Sequence, residues 1–200
     1  MPGMPDDLRI VPANQATTAE LDAVFERGDP ARCRCQWFKI SSAEWHAASA
    51  SELADRLREQ AQCGHPHGGR TSGLIAFVDD RPVGWCAVEP RTAYPRMRTA
   101  RIPWAGRDED RSDGTVWAVT CFVVRAGFRR RGVGRALACA AVDHARDRGA
   151  RAIEGYPLVD GAGTSAERFV GTESMFADAG FTPVSQPSER RVVMRRELTQ

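Results

Sequence analysis

Residues 129–135 read Arg-Arg-Arg-Gly-Val-Gly-Arg, and no other stretch limits the fold and chemistry of this chain as tightly. Before it lies Trp117–Val124, an apolar run with the composition of a buried strand. After it comes Ala136–Arg148, an Ala-rich stretch with helical spacing. The glycines therefore sit on a strand-to-helix turn. Such a turn aims several backbone N–H groups at one spot, the positive end of a helix. Gly132 and Gly134 remove the side chains that would hold a ligand off the backbone. The geometry suits a phosphate or pyrophosphate.

Three loop types compete for this run. A nucleotide-triphosphate loop needs Gly-x-x-x-x-Gly-Lys-Ser/Thr, and Lys39 is the only lysine in the chain. A dinucleotide loop needs Gly-x-Gly-x-x-Gly, yet Leu137 stands where the third glycine belongs. The third pattern is Arg/Gln-x-x-Gly-x-Gly/Ala, a pyrophosphate loop for acyl-CoA. Arg129-Arg130-Arg131-Gly132-Val133-Gly134 satisfies it at every specified position. Phe122-Val123-Val124-Arg125-Ala126-Gly127-Phe128 leads into it. Downstream, Met175-Phe176-Ala177-Asp178-Ala179-Gly180-Phe181 reads as a short helix ending in Gly-Phe, with Gly180 suited to a helix C′ position.

On these two signatures, about 45 residues apart, the sequence resembles the GNAT N-acetyltransferases. The resemblance is carried by Trp117–Phe181; residues 8–90 share only the order of elements. It implies an α+β protein with the GNAT fold, a mostly antiparallel mixed sheet with helices on both faces. It also implies acetyl-CoA as co-substrate and an amine of a small molecule or protein as acceptor.

The chain of 200 residues is long enough for a real core and is most simply one domain over 1–200. Hydrophobic and charged shares of 42% and 27% are those of a globular protein, and a net charge of +2 with interspersed acids does not favour nucleic-acid binding. No apolar run approaches the roughly 20 residues of a membrane span. Met1–Asp7 lacks a basic-then-apolar leader pattern, so a cytoplasmic location is expected. The oligomeric state is open, a homodimer included.

Along the chain, Leu8–Val11 reads as a first strand. Thr17 or Thr18 caps a helix to about Arg27, and Ser49 or Ser51 a second to about Gln60. Leu74–Val78 and Pro82–Glu89 form a hairpin around Asp79-Asp80-Arg81. Pro90–Gly114 is a long polar connection, functional or mobile. Trp117–Val124 is a strand, Gly134–Arg148 the central helix, and Ala152–Leu158 a strand. A Gly-rich loop spans Asp160–Gly171. Thr172–Ala179 is a short helix, and Phe181–Val184 and Arg190–Arg195 are the last strands.

Acetyl transfer to an amine passes through a tetrahedral oxyanion. It needs an oxyanion donor, a base for the amine proton and an acid for the leaving thiolate. The resemblance implies that backbone groups of Phe122, Val123 and Val124 meet the pantetheine arm and thioester. It further implies that N–H groups of Arg130, Arg131, Gly132, Val133, Gly134 and Arg135 hold the pyrophosphate, with guanidinium help from the arginines including Arg129. At the family's tyrosine acid stands Phe176, which has no proton to give, and Phe169 stands where an asparagine is frequent. Trp117–Val124 contains no carboxylate. Tyr156 and Glu154, on one face of the next strand, are the candidate acid and base. Ser174 is a candidate for orienting a water and Cys121 for a covalent nucleophile. Glu89, at a strand end, is an acceptor-side base or a solvated carboxylate.

Cys33, Cys35, Cys63, His65 and His67 supply zinc-ligand types without zinc-ligand spacing, so no metal is expected. Cys33–Phe38 is an alternative contributor to the acceptor pocket, against core or lid packing for Trp37 and Phe38. Three functions remain in view: the acetyltransferase, a catalytically silent acyl-CoA-binding regulatory domain of the same fold, and a metal-dependent interaction module.

Overall fold

The computed structural model describes residues 7–164 and 167–198. Met1–Asp6 of the leader reading, and Ser165 and Ala166 of the Gly-rich loop, lie outside the described residues. Seven strands form one sheet. They are β1 (Leu8–Pro12), β2 (Gly73–Val78), β3 (Arg81–Pro90), β4 (Val116–Val124), β5 (Ala152–Gly155), β6 (Thr182–Ser188) and β7 (Arg191–Glu197). Their order across the sheet is β1-β2-β3-β4-β5-β7-β6. Only β4 and β5 run parallel; the other five pairings are antiparallel. That is the mixed, mostly antiparallel sheet of the GNAT fold.

Among the described residues six α-helices flank it: α1 (Thr18–Val24), α2 (Asp29–Cys33), α3 (Ser42–Ala47), α4 (Ala50–Ala61), α5 (Val133–Arg146) and α6 (Glu173–Asp178). Thr17, Ser41 and Ser49 each cap a helix start, with a glutamate three residues on closing a capping box. One face of the sheet is covered by α5. Its Leu137, Ala141 and Ala145 follow one another at four-residue spacing and pack on Leu74, Ala76, Cys86 and Val88. The opposite face is covered by α1 and α4, whose Leu21, Phe25 and Leu57 meet Ile75, Phe77 and Trp85.

The hairpin turns on Asp79 and Asp80 alone, both at positive φ (49° and 56°), as a two-residue turn matched to strand twist requires. A second irregularity matters more. β3 and β4 pair as Ala87↔Cys121 and then Val88↔Val119, so Thr120 is an extra residue, a bulge in β4. The bulge resets the alternation: Trp117, Val119 and Phe122 face α5, while Ala118, Cys121 and Val123 face the other side.

Several expectations need correction. The first helix stops at Val24, short of Arg27, because the chain turns at Gly28 (φ 74°) into α2, which opens on Asp29-Pro30. Neither α2 nor α3 was expected. The strand expected over Ala152–Leu158 ends at Gly155; two isolated bridges at Leu158, to Thr172 and Arg191, follow. Pro157 has no N–H to extend the ladder. The strand expected over Phe181–Val184 runs on to Ser188 and so takes in Pro187 as well as Pro183, a placement tolerated because β6 is an edge. Pro90–Gly114 is no solvated loop: it makes three short 3₁₀ turns and buries Arg91, Tyr94, Met97 and Trp104 over the sheet.

Candidate functional site

The Arg-rich turn carries Arg130 at φ 59° and Gly132 at φ 78°, and α5 starts at Val133. Ala136 donates the first helical hydrogen bond, to the Gly132 carbonyl at 2.9 Å. The N–H groups of Val133, Gly134 and Arg135 therefore have no intrahelical acceptor. The glycines differ in their reasons. Gly132 is required by its left-handed backbone. Gly134 lies under α6, where an added β-carbon would meet Met175 Sδ at 3.1 Å. Arg129, Arg130, Arg131 and Arg135 are all exposed around this end. Arg129 Nε donates to the Val124 carbonyl (3.0 Å), and Arg135 Nε lies 3.4 Å from Asp178.

Next to this turn the sheet opens. The β4–β5 ladder ends at Val119↔Gly155, so Cys121–Val124 pair only with β3 among the described residues, and the bulge residue Thr120 has no register partner. Phe122 and Val123 are buried and Val124 is half-buried. Phe122 turns its ring edge to Phe176, centroids 5.8 Å apart, and Phe176 stacks edge-on with Phe181 at 5.0 Å. Phe176 thus fills the wall of the opening as a core residue. Beside the end of β4 lies a cleft of about 510 Å³, bounded by Val123, Val124, Arg125, Arg129, the end of α1 and Pro30.

Glu154 sits at the centre of a buried charge cluster and is 0% exposed. Arg195 Nη1 donates to it at 2.8 Å, Arg91 Nη1 at 3.2 Å, and Arg107 in a short contact. The Tyr156 hydroxyl also donates to it, at 2.8 Å. Glu109 joins from the long connection, 3.4 Å from Arg91 and 3.2 Å from Arg195. Burial pushes the Glu154 carboxyl up, but Arg107, Arg91 and the Tyr156 hydroxyl outweigh it and hold the group below its ordinary value. Burial, and then the neighbouring Glu154, push the Tyr156 phenol well above 10. The two residues do share one place, as their spacing implies, but as a bonded pair inside an ionic cluster.

A second polar group lies on the same face. Lys39 and Glu89 form a short buried ion pair. Burial raises the Glu89 carboxyl, against the pull of Lys39. Glu89 is therefore no solvated hairpin carboxylate. Lys39 Nζ also stands 4.6 Å from the centre of the Tyr94 ring.

The cysteine–histidine set does not converge. His65 and His67 are exposed, Cys35 is buried, and burial pushes the Cys33 and Cys63 thiols up to about 11. Among the described residues no three Cys, His, Asp or Glu side chains stand where one metal ion would bind them. Trp37 is exposed and packs edge-on against Trp45 at 5.1 Å, with Arg96 over its face. Cys121 is buried against the α1–α4 side, and Ser174 bonds Asp160 and Thr172.

Sequence reasoning missed Arg91, Arg107, Arg195 and Tyr94; Glu109 reads from the sequence, with Asp108 and Asp110, as an acid that attracts a cationic amine or as part of a solvated charged loop. Lys39 carried a signal: it is a single lysine among 28 basic residues. A chain that otherwise uses arginine throughout places its one ammonium here.

An open β4–β5 pair beside a glycine turn at a helix start defines an acyl-CoA-type transferase architecture. A sequence model of the acetyltransferase (GNAT) family matches residues 35–168, and the chain belongs to that family. Solved structures of the same fold include YncA of Salmonella typhimurium, described with its cofactor acetyl-CoA. It is 14% identical, with 98% of this chain and 96% of that one covered and a TM-score of 0.55. The GNAT-family acetyltransferase of Streptococcus pneumoniae is 11% identical, with 96% and 99% covered and a TM-score of 0.52. PaiA N-acetyltransferase of Thermoplasma acidophilum, in complex with coenzyme A, is 13% identical, with 95% and 98% covered and a TM-score of 0.50. No curated protein matches the sequence. No described helix is long and apolar enough to cross a membrane.

Proposed function

We propose that the protein transfers an acetyl group from acetyl-CoA to an amine of a small molecule or protein by direct attack. The observation that carries this reading is the pairing of two features at one end of β4. One is the set of N–H groups without helical acceptors at Val133–Arg135; the other is the backbone of Thr120–Val124 beside it, which has no β5 partner. The first suits a pyrophosphate. The second offers Phe122, Val123 and Val124 as extended partners for a pantetheine amide chain and for a thioester oxygen. Acetyl-CoA brings an activated acyl thioester; the chain supplies position and proton handling.

In this reading Arg129, Arg130, Arg131 and Arg135 add positive charge around the diphosphate while Gly132 and Gly134 keep the backbone approachable. Glu154 is read as a positioning residue. A carboxylate held ionised by three guanidinium groups is a weak proton acceptor, and its work is to fix Arg91, Arg107, Arg195 and Tyr156. Glu89 suits the base better: it stands near the end of β3, and burial raises its carboxyl above the ordinary value.

Thermal denaturation with acetyl-CoA, CoA and desulfo-CoA tests the donor half. A rise in melting temperature at millimolar ligand is expected, and a flat response to all three removes the reading. The buried Phe176 favours a second reading, a silent acyl-CoA-binding domain. Release of free CoA across a chemically diverse amine panel separates the two: sustained release supports the enzyme, and silence beside clear CoA binding supports the regulatory domain.

A further inference from the structure

We propose that the acceptor is a short amine that also carries a carboxylate, an amino acid in the simplest case, and that Arg191 holds this carboxylate beside the opening between β4 and β5. The proposal rests on the acetyl-transfer reading above and names an acceptor class for it. It starts from charge. On the sheet face that carries Glu154 and Tyr156, Glu89 is engaged by Lys39, and Glu109 and Glu154 by Arg91, Arg107 and Arg195. Arg191 shares that face. It alternates in phase with Val193 and Arg195, while Val192 and Met194 turn to α5. Arg191 is half-buried, yet among the described residues no carboxylate pairs with it; the nearby Glu167 is taken by Arg190 at 2.9 Å. Burial disfavours its charge, and Glu167 offsets only part of this. Burying a cation without a counter-ion is costly.

The guanidinium also has a specific place. Its Nη1 donates to the Tyr156 carbonyl at 3.3 Å. Tyr156 is the first residue of its chain segment beyond the β4–β5 ladder. The Pro157 carbonyl accepts from Val192 of β7 (3.3 Å), while the Leu158 N–H donates to Gly171 on the other side (3.2 Å). Gly171 lies against β4, where an added β-carbon would meet the Phe122 ring at 3.2 Å. By this alternation the Tyr156 carbonyl points away from β7, into the opening. Arg191 therefore reaches across from β7 to the rim along which the thioester is read to lie.

The groups left over define the ligand. Arg191 Nε and Nη2 form one edge of the guanidinium, and neither has a hydrogen-bond partner among the described residues. That edge matches a carboxylate in a planar, bidentate pair. The Tyr156 carbonyl keeps a second lone pair, placed to take an N–H of the acceptor amine. Donor edge and acceptor oxygen stand side by side, so they fit a carboxylate and an amine on one short molecule. The carboxylate takes no part in bond making. It positions the nitrogen at the acyl carbon.

The test uses the full chain, acetyl-CoA and matched acceptors: each of a diverse set of amino acids, its primary amide and its decarboxylated amine. For the best acceptor, the acid should exceed both partners by about 10-fold or more in kcat/KM, the difference lying mainly in KM. R191Q should erase this preference while the CoA-induced rise in melting temperature stays unchanged. R191K keeps the charge without the fork and should restore part of the preference. Equal rates within every matched set, faster decarboxylated amines, transfer confined to protein amines, or a preference that survives R191Q each overturn the proposal and spare the acetyl-transfer reading. A second measurement needs neither turnover nor a variant. The melting temperature of the CoA-saturated protein should rise further with at least one amino acid at millimolar concentration and not with its amide. No such difference for any pair, in a protein that releases no CoA, overturns the proposal while CoA binding stands. Failure of the wild type to bind CoA overturns both readings.

Discussion

A β-carbon built on Gly155 would stand 2.2 Å from Cε1 of Phe176. The last ladder residue of β5 and the aromatic of α6 thus occupy one shared volume. Phe176 Cζ is 2.4 Å from the same point, so the outer edge of the ring is packed directly on the strand. The absence of the family's tyrosine at this position is accordingly built into the packing around it.

Two substitutions test that interlock. F176Y should destabilise the protein by about 1–3 kcal/mol, the cost of burying an unpaired hydroxyl, without raising acetyl transfer. G155A should destabilise it too, and part of the loss should return in the double variant with Phe176→Leu, a coupling that a denaturant double-mutant cycle measures directly. A tenfold gain in turnover by F176Y would contradict this account.

The phosphate turn makes a sharper distinction between its glycines. G132A should cost about 1 kcal/mol because φ 78° is left-handed, with CoA still bound. G132E and G134E should abolish the CoA-induced rise in melting temperature. G134E should also lower the basal melting temperature, since its side chain starts against Met175. Calorimetric titration with CoA reads the binding loss separately.

Removing the centre of the ionic cluster leaves three guanidinium groups facing one another. E154Q should therefore destabilise the fold by about 3–5 kcal/mol, more than E109Q, whose carboxylate is only part-buried. Urea midpoints of the two variants give the comparison. Near-equal midpoints would place the weight of the cluster elsewhere.

Acid sensitivity has a named source. His144 is buried against Trp117 and lies 3.0 Å from Arg148. Burial first, then Arg148, lower its pKa from 6.5 to about 4. The folded state keeps it neutral where the unfolded chain would protonate it. Its contribution is complete above pH 6.5 and is lost as pH falls from 6.5 toward 4, by roughly 3 kcal/mol in all. Glu154 and Glu109, both held below their ordinary values, add a loss of the same sign at still lower pH. Stability curves of the wild type and H144F between pH 4 and 7 should diverge, the variant being flatter.

What the sequence disclosed and what it hid follow one physical division. The turn at 129–135 was legible because a phosphate site at a helix start is made of backbone, and glycines announce the backbone. The hairpin at Asp79-Asp80 and the caps at Thr17 and Ser49 were legible for the same local reason. Ser41-x-x-Glu44 carries the same capping pattern and would have announced α3. The Glu154 cluster was not legible. It joins residues 91, 107, 109, 154 and 195, whose meeting depends on how a 25-residue connection folds over the sheet. Read by composition, that connection is polar; in space its Arg91 and Arg107 pair with Glu109 and Glu154, and its Tyr94, Met97 and Trp104 are core. Tyr94 was hidden by this same misjudgement, and the β4 bulge by the lack of any sequence mark at Thr120.

The two prolines of β6 bear on more than that strand. A margin interrupted by Pro183 and Pro187 offers a broken row of donors to any incoming chain. The opposite margin, β1, is five residues long with a proline only at its end. Growth of this sheet by strand addition is therefore directional. The β1 side is separated from the opening between β4 and β5 by β2 and β3, so the uninterrupted edge and the opening are different parts of the sheet.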